Sequence, residues 1–282
     1  MKPPAVDLID VALREDIGAG DVTTDSFVSR NVQATAQIIA RERAIVAGTE
    51  TAAEVFRRID RDLSVKVNRN DGSEVNAGDD VLEISGRGRS ILKAERVALN
   101  FLQRLSGIAT ITRKFVDAAD NERVKILDTR KTTPGLRALE KAAVVAGGGM
   151  NHRFGLFDMA MIKDNHLLAG AGFDAFAKAV GKFREEHPGV RIEVEADTLE
   201  QVHTFLEIDG IDVILLDNMK PAQIREAIAL GKGRVKFEAS GGVTLKNIRQ
   251  IAATGVDYIS IGALTHSPRA IDFSLEITHV GA

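Results

Sequence analysis

Basic side chains gather where this chain turns most sharply. The stretch LDTRKTTPGLR sets Thr129, Arg130 and Lys131 directly after a short apolar run, and GGGMNHR brings His152 and Arg153 soon afterwards. Lys163 closes the next apolar run. An Arg fork holds a carboxylate or phosphate bidentately, and a lysine adds a point charge. Taken singly, each of these residues reads as a solvated loop charge. Taken together, Arg130, Lys131, His152, Arg153 and Lys163 suit a small ligand carrying more than one negative charge.

Acids follow the bases along the chain. Glu195 and Asp217 each end an apolar run, and such a pair suits Mg²⁺ or ribose hydroxyls. Further on, ASGGV sets Ser240, Gly241 and Gly242 just before a helical pattern, and SIGAL sets Gly262 and Ala263 after the last run. Glycine loops in these two consecutive places are where a barrel binds phosphate. The triplet Gly147, Gly148 and Gly149 reads equally well as a helix stop or as a loop whose backbone approaches a ligand.

Composition narrows the class. The chain has 282 residues, with 37 basic and 40 acidic groups and a formal charge of −3. That balance gives no general pull toward nucleic acid, so a basic site must be local. Cysteine is absent, which excludes disulfides, thiolate metal sites and a cysteine nucleophile. No apolar run is long enough to span a membrane, and the opening MKPPAVDLIDVALRED is not a signal peptide. A cytoplasmic protein is expected.

The elements that position these residues show in the hydrophobic pattern. From about residue 124, the apolar runs VKILDT, FDMAMIKD, VRIEVEA, DVILLDN, VKFEASGG and DYISIGA alternate with helical stretches. Strand–helix alternation implies parallel strands with right-handed crossovers. Nearly every run ends in polar groups, from Asp128 through Lys163 with Asp164, Glu195 with Asp197, Asp217 with Asn218, and Glu238 with Ser240, to Gly262. Polar groups converging at strand C-termini build the site of a (β/α) barrel, here an incomplete one of about six strands. Before residue 107 the alternation and the Asn/Asp-Gly turns read as an antiparallel sheet. One hairpin, NDGSEVNAGDDVLEISG, has the rhythm of a lipoyl carrier but no modifiable lysine at its turn.

The blocks EDIGAGDVTT, AERVALNFLQRLSGIAT, LDTRKTTPGLR, GGGMNHRFGLFDMAMIKDNH, EVEADTLEQ, ILLDN, EASGGV and GVDYISIGALTHS closely resemble the quinolinate phosphoribosyltransferase family over nearly the whole chain. The resemblance implies an N-terminal α/β sandwich over 1–108, rejoined by 266–282, and an incomplete α/β barrel over 109–265. It implies transfer of phosphoribosyl from phosphoribosyl pyrophosphate to quinolinate with loss of CO₂. It assigns Thr129, Arg130, Lys131, His152, Arg153 and Lys163 to quinolinate, with Arg96 supplied by a neighbouring subunit. Glu195 and Asp217 would serve ribose and Mg²⁺-pyrophosphate, and Ser240, Gly241, Gly242, Gly262 and Ala263 the 5′-phosphate. Lys131, Lys163, Glu195 and Asp217 form the expected catalytic set. Mg²⁺ is the implied cofactor, and a homodimer with shared sites, or a larger assembly of such dimers, the implied state. A Schiff-base lyase using Lys163 and a non-catalytic phosphosugar binder are the competing readings.

Overall fold

The computed structural model describes residues 7–163 and 172–281. Asp164, expected beside Lys163 at a strand end, lies outside the described residues. Two compact units emerge, and their boundaries cross the sequence more than once. The first comprises Met1–Arg113, Thr132–Gly148 and Thr265–Ala282, and the second Lys114–Lys131 and Gly149–Leu264.

The first unit is built on an antiparallel sheet. Its strands are β1 (Gln33–Ala40), β3 (Ser64–Val67), β5 (Asp80–Arg87) and β12 (Phe273–Gly281), in the order β12-β1-β5-β3. Strands β2 (Ala44–Ile45) and β4 (Glu74–Val75) form a separate pair. β1 alternates buried and more exposed positions over its first half, as a strand with one core face does. Its register runs antiparallel to β12 from Gln33 opposite Gly281 to Ala40 opposite Phe273. The end of the chain therefore completes the sheet that its beginning starts. Ile38, Leu82, Ile84, Phe273 and Phe56 form its core with Ile91 and Leu102. Phe56 comes from α3 (Thr49–Ile59), and Ile91 and Leu102 from the long α4 (Gly88–Ala119).

Two short helices precede that sheet, α1 (Leu8–Ile17) and α2 (Val22–Phe27). Each has an aspartate N-cap. Asp7 accepts from the N–H of Ile9 and Asp10, and Asp21 from those of Thr23 and Thr24. Helix α5 (Arg137–Ala146) ends at Gly147. A Cβ there would lie 2.4 Å from the Ala109 carbonyl oxygen of α4, and Gly148 adopts φ +91°. Gly147 and Gly148 are thus a helix stop and a close packing contact.

The second unit is an open parallel sheet of six strands in the order β6-β11-β10-β9-β8-β7. They are β6 (Lys125–Leu127), β7 (Ala160–Ile162), β8 (Ile192–Ala196), β9 (Val213–Asp217), β10 (Lys236–Ser240) and β11 (Tyr258–Ser260). β6 and β7 stand at opposite edges, so the barrel is incomplete, as the sequence pattern implies. Central β9 is apolar and buried through Leu216, as expected with both faces covered. The helices described after β7 are α6 (Phe173–Glu186), α7 (Leu199–Leu206), α8 (Pro221–Gly231), α9 (Ile248–Ala252) and α10 (Ala263–His266). Thr198 and Gln201 make a capping box for α7, and Pro221 opens α8. Asp212 and Asp257 hold the N-terminal ends of the strands by accepting from the N–H of Ile192 (2.7 Å) and Phe237 (2.9 Å). No described helix is long and apolar enough to cross a membrane.

Glycine sites in the two units should respond oppositely to alanine. At Gly107 in α4 a Cβ would lie 2.2 Å from the Arg269 carbonyl oxygen, whereas at Gly181 in α6 nothing lies within 4 Å. Gly107→Ala should cost about 1–3 kcal/mol as an overpacked contact. Gly181→Ala should be neutral or stabilise by up to about 1 kcal/mol. Urea unfolding of both variants checks the pair.

Candidate active site

A cavity of about 290 Å³ opens in the second unit. Thr129, Arg130, Lys131, His152 and Arg153 line it from loops, and Met161, Lys163, Glu195, Leu215, Asp217, Glu238, Ser240 and Ser260 from strands or their ends. Most of the strand residues come in i, i+2 pairs: Met161 with Lys163, Leu215 with Asp217, Glu238 with Ser240. That is the spacing of one face of a strand. β8 repeats it with Glu193 and Glu195.

Local hydrogen bonds fix the basic loops. The segment after Gly149 runs beside β6, with a parallel bridge between Leu127 and Met150. Asp128, fully buried, donates its N–H to the Met150 carbonyl and accepts the His152 N–H at 2.9 Å. The Thr129 hydroxyl accepts the Lys131 N–H at 3.1 Å, turning that loop. Asp158 accepts the N–H groups of Phe154 (2.6 Å) and Gly155 (3.0 Å), closing the turn beyond Arg153. Burial lowers the pKa of Arg153, and the Arg130 charge beside it pushes in the same direction.

His152 is placed differently from a simple anion ligand. Its Nδ1 accepts the Arg153 N–H at 2.7 Å, which leaves the ring proton on Nε2. Nε2 lies 3.0 Å from Glu193 and 3.5 Å from Glu238, both buried carboxylates, and Glu238 also lines the cavity. Both ring nitrogens therefore face protein partners, although the ring lines the cavity.

The acidic wall is a close cluster. Carboxylate oxygens of Glu195, Asp197 and Asp217 lie within 4.8 Å of one another. Lys163 forms an ion pair with Glu195. Burial raises the pKa of Asp217, and the charges of Glu195 and Asp197 raise it further, against Lys163 and an Asn218 hydrogen bond of 2.6 Å. Asn218 has φ +54° and donates its backbone N–H to the Ser240 carbonyl. A Cβ on Gly241 would fall 2.1 Å from Asn218 Oδ1, so this glycine is required by the neighbour that holds Asp217.

Most of the residues expected from the sequence line this one cavity. Gly241, Gly242, Gly262 and Ala263 are not among its lining residues, and Ser240 is. Helix α9 begins at Ile248, so the glycine pair precedes a turn and not a helix start. Arg96 is exposed on α4, in the first unit. Sequence reasoning passed over Glu193 and gave Glu238 no role beyond ending a strand. The pattern E-V-E in β8 carried the signal, since alternate residues share a face.

Comparison with known proteins gives one answer. The C-terminal domain model of quinolinate phosphoribosyl transferase matches residues 108–276, and the N-terminal domain model residues 21–106. A probable carboxylating nicotinate-nucleotide pyrophosphorylase of Bacillus subtilis is 45% identical over 94% of this chain and 90% of its own length. A decarboxylating quinolinate phosphoribosyltransferase of Nicotiana tabacum is 44% identical over 98% of this chain and 85% of its own. The crystal structure of NadC from Streptococcus pyogenes superposes with TM-score 0.91 at 41% identity, covering 98% of this chain and 95% of that one.

The acidic cluster should weaken the fold it serves. A carboxyl whose pKa is raised on folding destabilises the native state at pH values above its unfolded pKa, most fully once it is ionised. Asp217→Asn should therefore raise the thermal midpoint at about pH 7. The gain should vanish below about pH 3, where Asp217 is protonated in both states. Thermal unfolding at the two pH values is the measurement.

Proposed function

This chain belongs to the quinolinate phosphoribosyltransferase family, and on that premise we propose how its cavity divides the work. The reaction moves phosphoribosyl from phosphoribosyl pyrophosphate to the quinolinate nitrogen and releases pyrophosphate and CO₂, leaving nicotinate mononucleotide. The observation that carries our division is charge segregation within one cavity. Arg130, Lys131, Arg153 and Lys163 supply cations, while Glu195 and Asp217 supply acids.

Quinolinate is a dianion, and only a cationic pocket offsets the cost of desolvating it. We assign it to Arg130, Lys131, Arg153 and Lys163, with Thr129 alongside and His152 beneath. The ribose and pyrophosphate belong at the acidic wall, and the 5′-phosphate near Ser240 and the loops of Gly241, Gly242, Gly262 and Ala263. As pyrophosphate leaves, positive charge grows on the ribose ring, and Glu195 and Asp217 stabilise it. The Glu195, Asp197 and Asp217 donors fit a hard cation that takes carboxylates and keeps its waters. Mg²⁺ there would balance the charge of the departing pyrophosphate. Bonding to ribose makes the pyridine nitrogen cationic. The ring then accepts the electrons left by CO₂ without an organic cofactor.

The two walls should fail separately. Arg153→Ala should weaken quinolinate binding about 10–100-fold, the worth of a charged hydrogen bond, and leave phosphoribosyl pyrophosphate nearly unaffected. Asp217→Ala should do the reverse and shift the Mg²⁺ requirement. Calorimetric titration of each ligand into each variant decides it; loss of the same ligand in both would end this division. Wild-type protein should release CO₂ from quinolinate with phosphoribosyl pyrophosphate and Mg²⁺.

Arg96 completes the site from a second copy of the chain in our reading. A symmetric dimer places each subunit's α4 at its partner's cavity. Arg96→Ala and Lys163→Ala homodimers should each be nearly inactive. Mixing them in equal amounts should make about half the dimers hybrid and restore about a quarter of wild-type sites. Turnover before and after exchange of tagged subunits is the readout. Confirmed hybrids without recovered activity would place Arg96 outside the site.

A further inference from the structure

Beneath the cations, the cavity floor holds acid that the division above does not use. Glu193 on β8 and Glu238 on β10 flank β9, and their side chains are 1% and 2% exposed. Oxygens of both lie within 4.8 Å of each other and of a His152 ring nitrogen. Glu238 also lines the cavity itself. Both Glu193 oxygens and Glu238 Oε1 are buried without a hydrogen bond. The approach of His152 Nε2 to Glu193 is close but poorly aligned.

A carboxyl this deeply buried beside a second carboxylate favours its protonated form, so Glu238 can store a proton. The groups facing Glu238 are Glu193 from β8, His152 from the segment between α5 and β7, and Ser260 from β11. Burial raises the Glu238 pKa well above the usual carboxylate range, and the Glu193 charge raises it further. His152 and a Ser260 hydrogen bond oppose this without reversing it.

The family's reaction needs a proton at one point. When CO₂ leaves the pyridinium intermediate, its bonding electrons stay on the ring carbon next to nitrogen. A C–H bond must form there. The cavity's other donors are less suited. Lys131 and Lys163 are assigned above to the substrate carboxylates, where they serve as cations. We propose that Glu238, held against Glu193 in the cavity floor, delivers the proton that replaces the departing carboxylate. The Glu238 O–H bond breaks, the ring C–H bond forms, and Glu238 is left as a carboxylate. Water reprotonates it after the product leaves, so one proton is consumed per turnover.

The inference rests on the family's reaction, and the test separates the two. In single turnovers, pyrophosphate release reports phosphoribosyl transfer and CO₂ release reports decarboxylation. Their ratio is insensitive to the fraction of protein folded. Glu238→Gln should release pyrophosphate but lower the CO₂ rate relative to it by about 100-fold or more, the usual worth of a positioned acid. Glu238→Asp should recover part of the loss. In mixed H₂O and D₂O, the H/D ratio at the new C–H bond should differ between wild type and Glu238→Gln. An unchanged rate ratio or an unchanged H/D ratio overturns the proposal. Should Glu238→Gln not fold, infrared spectra of wild-type protein with ¹³C-labelled glutamate decide. A protonated glutamate band at neutral pH supports the proposal, and its absence overturns it. A wild-type protein that releases no pyrophosphate strikes the family's reaction instead.

Discussion

Opposite charges meet at Lys163 and Glu195, where the two walls of the cavity join. One wall concentrates cations close enough that Arg130 disfavours the charge on Arg153. The other concentrates carboxylates close enough to raise the pKa of Asp217. Each wall alone is self-repelling, and burial makes the repulsion stronger. The ion pair joins the walls across neighbouring strands β7 and β8, which the parallel register holds side by side.

The scaffold separates stability from chemistry along each strand. At the N-terminal ends, Asp212 and Asp257 spend their carboxylates on backbone N–H groups of the preceding, adjacent strand. At the C-terminal ends, Lys163, Glu195, Asp217 and Ser240 face the cavity. Parallel strands make this division possible, because every strand delivers its last residues to the same face. Glycine is used in the same economical way. Gly241 leaves room for Asn218, and Asn218 steadies Asp217.

Much of this was legible in the sequence, and the limits have physical causes. Strand–helix alternation gave the six parallel strands, because buried strands read as apolar runs. Polar residues at the run ends gave Lys163, Glu195 and Asp217. What escaped was the layer below. Glu193 sits inside the run VRIEVEA, where a charge looks like a flaw in the strand and not a part of the site. Only when β8, β9 and β10 are aligned does Glu193 come near Glu238. The role of Gly147 was equally hidden, since it depends on the carbonyl of Ala109, far off in sequence. His152 was found as a cavity residue, but the direction of its ring nitrogens follows from the backbone turn at Arg153.

The closing of the first sheet by β12 has a consequence for how the protein is made. Arg41 and Glu276 pair across 235 residues of chain. During synthesis β1 therefore waits, with one edge open, while the whole six-stranded unit is translated. An open edge is a template for pairing with another chain. The second unit has all its strands available before the first does, so it can complete its sheet first. Until β12 arrives, the unpaired edge of β1 is where such pairing would start.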